Sequence, residues 1–396
     1  HFHYVLCLSE AKGMNIIMTD PVRVLNVLGT TNLGGAESRV MELYRAINKR
    51  KVQFDFLVHT DKEGQYDAEI HQLGGMIYHV PRFRVINILS YRKTLHRFFQ
   101  EHKEFVAVQG HMTSTAAIYL PIAKKAGISM TIAHARSAGV DRGLKGVATK
   151  MLRSSLKYKA DYCFTCSAEA AEAVYGRNWI EAGKVWTIPN AIDVQRFVFQ
   201  ETVRQQVRKE LGFEHEFVIG HVGRFGFMKN HSYLIDIFAQ LCKIRDDAVL
   251  VLIGEGELKQ EIQEKVNRLG LSNRVRFLGN RFDVERYYQA FDYFVFPSLF
   301  EGLPGSVAEA QASGLRCLVS DKVTKEAALT DLVTYKSIEE PAASWASEVM
   351  RNSKKALVRE DMRAVIAAKD FDVQKLAAKM EAFYMSGKNP PGSVTR

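Results

Sequence analysis

Apolar runs rich in β-branched residues alternate with amphipathic segments along nearly the whole chain. In the first half the runs are VRVLNVL (22–28), QFDFLV (53–58), GMIYHV (75–80), FVAVQG (105–110), SMTIAH (129–134), YCFTC (162–166) and VWTIP (185–189). A second series comprises FVIGHVG (217–223), AVLVLIG (248–254), RVRFLG (274–279), YFVFPS (293–298), RCLVSD (316–321) and LVTY (332–335). Between them lie segments such as ESRVMELYRAINK, SYLIDIFAQLCKI and ELKQEIQEKVNRLG, which are amphipathic in the manner of helices. Continuously apolar strands separated by helices predict parallel sheets covered on both faces. Thirteen strands are too many for one open sheet, so the pattern predicts an α/β protein of two Rossmann-like, doubly wound domains facing across a cleft.

The rhythm pauses at IPNAIDVQRF, 188–197, on a Pro-Asn turn. That pause sets the expected division: a first domain over 18–195 and a second over 196–371. A last helix at about 372–386 is expected to pack back on the first domain. Residues 1–17 are read as an extra N-terminal segment, with Met18 as a natural start. In doubly wound folds ligands bind beyond the carboxyl ends of the strands, which between two domains means the cleft.

Composition narrows the class. The chain has 396 residues, 47% hydrophobic and 25% charged, as expected of a globular protein rather than a disordered one. No apolar run approaches the ~18 residues of a membrane span, and the opening HFHYVLCLSEAKGMNIIMTD lacks the basic start of a secretory signal. Five cysteines, an odd number, point to a reducing compartment. Cys163 and Cys166 lie in a strand-like run and face opposite sides, which favours buried thiols over zinc.

The net charge of +10 is concentrated. From Asp141 to Lys159 there are six basic residues and one acid. Leu144, Ala148, Met151, Leu152 and Ser155 recur at helical spacing, while Lys150, Arg153 and Lys157 share another face. This is either a solvated helix face or a surface that meets anionic lipid. Nucleic acid is disfavoured as a partner, because no aromatic residues are interleaved for stacking.

Four stretches carry candidate chemistry. In FEGLPGSVAEAQASG, 300–314, Glu301 ends a buried strand, Pro304 suits the first position of a helix, and Glu309 lies about one turn inside it. A helix start there offers backbone amides and a positive dipole end to an anion. In GRFGFMKN, 223–230, Arg224 and Lys229 follow a strand directly, and two cations converging there would suit a diphosphate. TTNLGGAESRV, 30–40, supplies the Gly34-Gly35 turn, which matches neither a nicotinamide fingerprint nor a P-loop. His111 closes the strand FVAVQG, and His134 closes the next, with Arg136 beside it. The pair Asp370-Phe-Asp372 reads as helix capping rather than a metal site.

Together these residues resemble the retaining glycosyltransferases of family 4, which have the GT-B fold. The resemblance covers nearly all of 20–385 and rests on EGLPGSVAEA, GRFGFMKN, LIGEGELK, VRFLGN, IPNAIDVQRF and the GGAE loop. It implies that a nucleotide-diphosphate sugar binds the second domain and the acceptor the first. Glu309 would hold the ribose hydroxyls, Glu301 the transferred sugar, and Arg224 and Lys229 the diphosphate. His111 would meet the sugar near the reaction centre. Gly34, Gly35, Gly223, Gly254, Phe277, Leu278, Gly302 and Leu303 would complete the donor site. Arg136, Lys150, Arg153 and Lys157 would serve the acceptor or the membrane. Gly305-Ser306, where the family carries larger apolar residues, and the Phe-Gly-Phe-Met insert after Arg224 are departures from its pattern.

The resemblance further implies transfer with retention, no metal and no cofactor, and a saccharide or lipid-linked saccharide acceptor. It places the chain in the cytoplasm, peripheral to the inner membrane face, in capsular or extracellular polysaccharide biosynthesis. Two rivals stand beside it. One is a nucleotide-sugar 2-epimerase or phosphorylase of the same fold, which would release a free sugar or need phosphate. The other is a non-catalytic basic module for membranes or glycans. Donor turnover with and without acceptor separates them.

Overall fold

The computed structural model describes residues 20–136, 143–353 and 358–395, with the backbone alone for 143–148. The expected extra segment 1–17 lies outside the described residues, as does the start of the basic stretch at 141–142. The first sheet is built from β1 (Val22–Leu28), β2 (Val52–Val58), β3 (Ile77–His79), β4 (Phe105–Gly110), β5 (Met130–Ala135), β6 (Tyr162–Thr165) and β7 (Val185–Thr187). The second holds β8 (Phe217–Val222), β9 (Ala248–Ile253), β10 (Val275–Phe277), β11 (Tyr293–Phe296), β12 (Cys317–Ser320) and β13 (Val333–Lys336). Each corresponds to an apolar run in the sequence. A further strand, β14 (Ser393–Val394), is two residues long and has no such signal. It pairs antiparallel with β7 at the end of the first sheet.

Spatial order is β14-β7-β6-β5-β4-β1-β2-β3 in one sheet and β10-β9-β8-β11-β12-β13 in the other. Apart from β14, all pairings are parallel; β1 and β2, for example, run in register from Val22↔Val52 to Leu28↔Val58. In each sheet the chain winds outward from the first strand, then returns to wind the other way. The reversals fall between β1 and β4, and between β8 and β11. Loops leaving the carboxyl ends of these four strands therefore flank crevices, the usual ligand position of a doubly wound sheet.

The central strands have no solvent face. All seven residues of β2 and all six of β9 are buried. Side chains alternate across the sheet, so Leu25, Val27 and Leu57 join one apolar layer with Tyr91, Leu95 and Leu120. Val24, Leu28, Phe54 and Phe56 join the opposite layer with Val40, Tyr44, Leu376, Met380 and Phe383. The last three belong to the helix Val373–Ser386, which thus lies on the first sheet, where Tyr384 Oη also donates to Gln109 Oε1 at 2.5 Å.

The chain crosses between the sheets twice, side by side. Ile192 N donates to Phe371 O (2.9 Å), and Val373 N donates to Ile192 O (3.0 Å). Asp372 caps the final helix, its Oδ1 accepting from Gln374 N at 2.9 Å, which is the capping role read from the sequence. Replacing Asp372 by Ala is expected to cost about 1 kcal/mol of stability. The measurement is urea denaturation, with a lower midpoint and an unchanged slope.

Candidate active site

The site begins with a bend. After β8 the chain turns sharply, and Gly226 N donates to Arg224 O at 2.7 Å around Phe225. Phe225 turns in, fully buried, and stacks on His231 with ring centroids 4.0 Å apart. Arg224 turns out; its side chain is 75% exposed and its Nη2 lies 2.9 Å from Glu257 Oε2. Lys229 takes the other direction. Its Nζ is 2.6 Å from Glu301 Oε1 and 4.6 Å from the centre of the Phe296 ring. The expected convergence of Arg224 and Lys229 is therefore not present: the structure brings Lys229 to Glu301 and leaves Arg224 with Glu257 at the rim. Beneath them Gly254 has φ +142°, and a Cβ there would stand 2.2 Å from Gly223 O. Only glycine permits that approach of the two strand ends.

The loop after β11 carries the carboxylates. Glu301 forms an isolated bridge with Val323, and Pro304 is the N-cap of the helix Gly305–Ala312, one position earlier than the sequence suggests. Glu309 is buried and faces the first sheet. Its Oε1 is 2.5 Å from Arg39 Nη2, and its Oε2 accepts from Tyr288 Oη at 3.0 Å. Arg39 lies in the helix Gly35–Ala46 that follows β1. Burial alone would lower its pKa; the Glu309 and Glu42 carboxylates outweigh that effect and raise it. Glu309 is thus neither a cap nor a surface charge but one half of a buried ion pair between the two sheets' units.

Across the cleft, His111 follows β4 and is buried. Arg136 Nε donates to His111 Nδ1 at 3.2 Å. Nδ1 must then be the acceptor, so Nε2–H donates to Asn26 Oδ1, also 3.2 Å away. Burial, with the Arg136 charge second, pushes the His111 pKa well below its usual value, so the ring is neutral. Arg136 continues outward: its Nη1 donates to Asn190 Oδ1 (2.9 Å), and Asn190 Nδ2 donates to Leu303 O (3.2 Å). Asn26, His111, Arg136 and Asn190 therefore form a hydrogen-bonded line from β1 to the glutamate loop. Burial lowers Arg136 to about 10, which leaves it charged at neutral pH.

The remaining positions divide. Gly34 is the N-cap of Gly35–Ala46, and a Cβ on it would strike Glu37 Oε2; one on Gly35 would meet nothing within 4 Å. A Cβ on Gly302 would lie 3.1 Å from Ser167 Oγ of the first unit, so the Gly302 backbone closes against the Ser167 side chain there. Phe277 and Leu278 are half-buried; Phe277 stands 5.9 Å from the Phe225 ring, and Leu278 N donates to Leu252 O (3.0 Å). The trio Lys150, Arg153 and Lys157 does not present one free face. Arg153 Nε donates to Thr113 Oγ1 (2.8 Å) and Lys157 Nζ to Tyr175 O (3.0 Å), so of the three only Lys150 is exposed. Leu144 and Ala148 of the same segment lie outside the described side chains.

Sequence reasoning missed Arg39, Tyr288, Asn190 and Asn26. Arg39 and Asn190 sit inside stretches already singled out, GGAESRV and IPNAIDVQRF, but their partners are 270 and 113 residues away. Polar residues at the end of an apolar strand, such as Asn26, were the available signal. At the rim, Arg196 joins Glu42 (2.8 Å) to Glu285 (2.7 Å), and Tyr66 packs against Phe282. Glu301, Glu309, Glu42 and Glu285 are thus each covered by a cation.

Residues 203–363 match the family model described as glycosyl transferases group 1, and residues 33–196 match glycosyltransferase family 4. EpsF of Bacillus subtilis (strain 168), named a glycosyltransferase, is 33% identical over 359 residues, 89% of this chain and 94% of that one. The Escherichia coli UDP-Gal:alpha-D-GlcNAc-diphosphoundecaprenol alpha-1,3-galactosyltransferase is 27% identical over 60% of this chain and 64% of its own. Among solved structures, Anabaena Alr3699/HepE in complex with UDP-glucose has a TM-score of 0.77 at 18% identity, over 92% of this chain and all of that one. Its likeness shows the same two-sheet fold.

The buried histidines predict acid sensitivity. Burial holds His221 at about 4, and His59, His111, His134 and His231 are also lowered. Below the unfolded value of about 6.5 the unfolded chain binds more protons, so stability falls as pH drops. The His221 share amounts to roughly 2 kcal/mol by about pH 5. Thermal midpoints measured from neutral to acid pH should fall, and His221→Asn should flatten the decline.

Proposed function

The chain belongs to the group 1 glycosyltransferases, and from that membership we propose a retaining, metal-independent hexosyltransferase. Its donor is a nucleotide-diphosphate sugar, and its acceptor a saccharide or lipid-linked saccharide in capsular or extracellular polysaccharide biosynthesis. The observation that carries the reading is the arrangement of Lys229, Glu301 and the start of helix Gly305–Ala312 at the reversal point of the second sheet. The diphosphate lies against Lys229 and the helix amides, where cation and dipole favour its charge. Arg224 joins by exchanging Glu257 for phosphate. The exchange is easy, because an exposed ion pair contributes only about 0–1 kcal/mol.

Glu309 accepts the ribose hydroxyls while keeping Arg39 and Tyr288, since each carboxylate oxygen has a second lone-pair direction. Glu301, released from Lys229 by the diphosphate, contacts the transferred sugar. Gly34, Gly35, Gly223, Gly254, Gly302 and Leu303 supply close backbone, and Phe277 and Leu278 shape the donor pocket's wall. Neutral His111 donates through Nε2 to the sugar, exchanging Asn26 Oδ1 for a sugar oxygen, and Arg136 holds its ring and borders the acceptor.

The chemistry follows from charge. The anomeric carbon–phosphate oxygen bond breaks as the acceptor oxygen bonds that carbon on the same face. The acceptor's proton passes to the departing phosphate oxygen. Negative charge building on the diphosphate is met by Lys229, Arg224 and the helix dipole, the role a metal would otherwise fill. Closure of the two domains, 18–195 and 196–371, excludes water. The HepE complex with UDP-glucose and the diphosphoundecaprenol-linked substrate of the E. coli relative support the donor and acceptor classes. Work at the cytoplasmic membrane face, where a lipid-linked acceptor would be met, is part of the same proposal.

Glu309→Ala should weaken UDP binding about tenfold or more, the loss of hydrogen bonds to a charged acceptor, read by calorimetry; unchanged affinity contradicts the assignment. Lys229→Ala should lower kcat/KM by about a hundredfold, read by UDP release in the presence of acceptor. Turnover that needs no acceptor, or needs phosphate, favours the epimerase or phosphorylase reading.

A further inference from the structure

Between Glu69 and Glu101 the chain carries no acidic residue, and five bases, Arg82, Arg84, Arg92, Lys93 and Arg97, fall in that interval. All five are exposed, and none makes an ion pair among the described residues. At their centre Val85, Ile86 and Leu89 are 67%, 90% and 82% exposed, with Ile88 beside them. Elsewhere among the described residues the exposed large apolar side chains stand singly or in pairs along the sequence. Four in five consecutive positions is a patch, and such a patch marks an interaction site.

The segment is held in this form. Phe83 turns inward on Tyr91, with ring centroids 5.3 Å apart, and Tyr91 Oη is 2.7 Å from His59 Nε2. Asn87 closes the short turn Val85–Asn87: its Oδ1 accepts from Arg84 N (2.7 Å) and its Nδ2 donates to Arg82 O (3.0 Å). One aromatic anchors the loop while four aliphatic side chains are left facing water, Val85, Ile86 and Leu89 most of all.

We propose that this surface docks the protein on an anionic phospholipid bilayer, with Val85, Ile86 and Leu89 entering the headgroup boundary and the five bases meeting lipid charge. An apolar tip ringed by bases fits that boundary on both counts. A second copy of the chain fits poorly, because pairing the patch would bring unpaired bases together on a chain of net charge +10. Position supports the same occupant. The loop leaves the carboxyl end of β3, the edge strand two places from β1, about 10 Å across the sheet. It therefore sits on the same sheet edge as Gly34, Gly35 and His111, and docking turns the mouth of the cleft toward the lipid. Only the purpose of docking, access to a lipid-linked acceptor, rests on the proposed function.

The test is flotation of the full chain with vesicles of phosphatidylcholine alone or mixed with phosphatidylglycerol, without nucleotide. The wild type should bind the mixed vesicles and not the neutral ones. Ile86→Ser with Leu89→Ser, all at exposed positions, should lower binding about tenfold or more at unchanged thermal midpoint. Arg84→Gln with Arg92→Gln and Lys93→Gln should remove the preference for phosphatidylglycerol, and Lys150→Gln should leave it intact. Absence of wild-type binding, or wild-type affinity in the double serine variant, overturns the proposal. So does a dimer in sedimentation that the double serine variant dissolves. A chain that docks normally but transfers no sugar sinks the functional reading and leaves the docking surface standing.

Discussion

A carboxylate taken out of water needs a cation beside it, and the contact between Glu309 and Arg39 meets that need across two structural units. Both side chains are nearly excluded from solvent, and Tyr288 Oη occupies the second carboxylate oxygen. Removing one member of such a pair typically costs about 3–5 kcal/mol, because the other charge is left buried and alone. The relative placement of the two sheets and the form of the site are consequently one problem. Arg196, between Glu42 and Glu285, repeats the device at the rim.

The line from Asn26 to Leu303 shows the complementary solution, with neutral groups. His111 and His134 are buried and held neutral, while the charged Arg136 beside them is satisfied by His111 Nδ1 and Asn190 Oδ1. A neutral imidazole with a fixed tautomer can donate at one defined atom over the whole neutral range. The same wiring reaches the carbonyl of Leu303, so the glutamate loop and the histidine belong to one hydrogen-bonded line. The two units are joined at the site by charge, through Arg39 and Glu309, and by the hydrogen bond from Asn190 to Leu303.

How much of this was legible in the sequence depends on where each residue's partner lies. Strands such as β2 and β9 were plain because burial on both faces demands an unbroken apolar run. β14 was not, since two residues pairing at an edge need no pattern at all. Lys229 and Glu301 were recognisable because each lies in the loop that follows a buried strand. The direction of Arg224 was not, because neither the bend around Phe225 nor the stacking of Phe225 on His231 from the next helix has a local mark. Pro304 shifted by one position for a similar reason: helix ends are set by capping geometry rather than composition. Arg39 carried no local mark, as its meaning comes wholly from a carboxylate 270 residues away.

The membrane-facing reading moved in the same way. Charge alone pointed to Lys150, Arg153 and Lys157, yet a base on a helix face can turn to a neighbouring carbonyl or hydroxyl, and two of these three do. The bases flanking exposed aliphatic residues in RFRVINIL are exposed and make no such bond among the described residues. The account of the cleft is tested most directly by a crystal structure with UDP bound. It predicts the diphosphate within hydrogen-bond reach of Lys229 and the first amides of helix Gly305–Ala312, ribose on Glu309, and Arg224 parted from Glu257. A diphosphate seated elsewhere, or an Arg224–Glu257 pair unbroken beside a ribose that never meets Glu309, would contradict it.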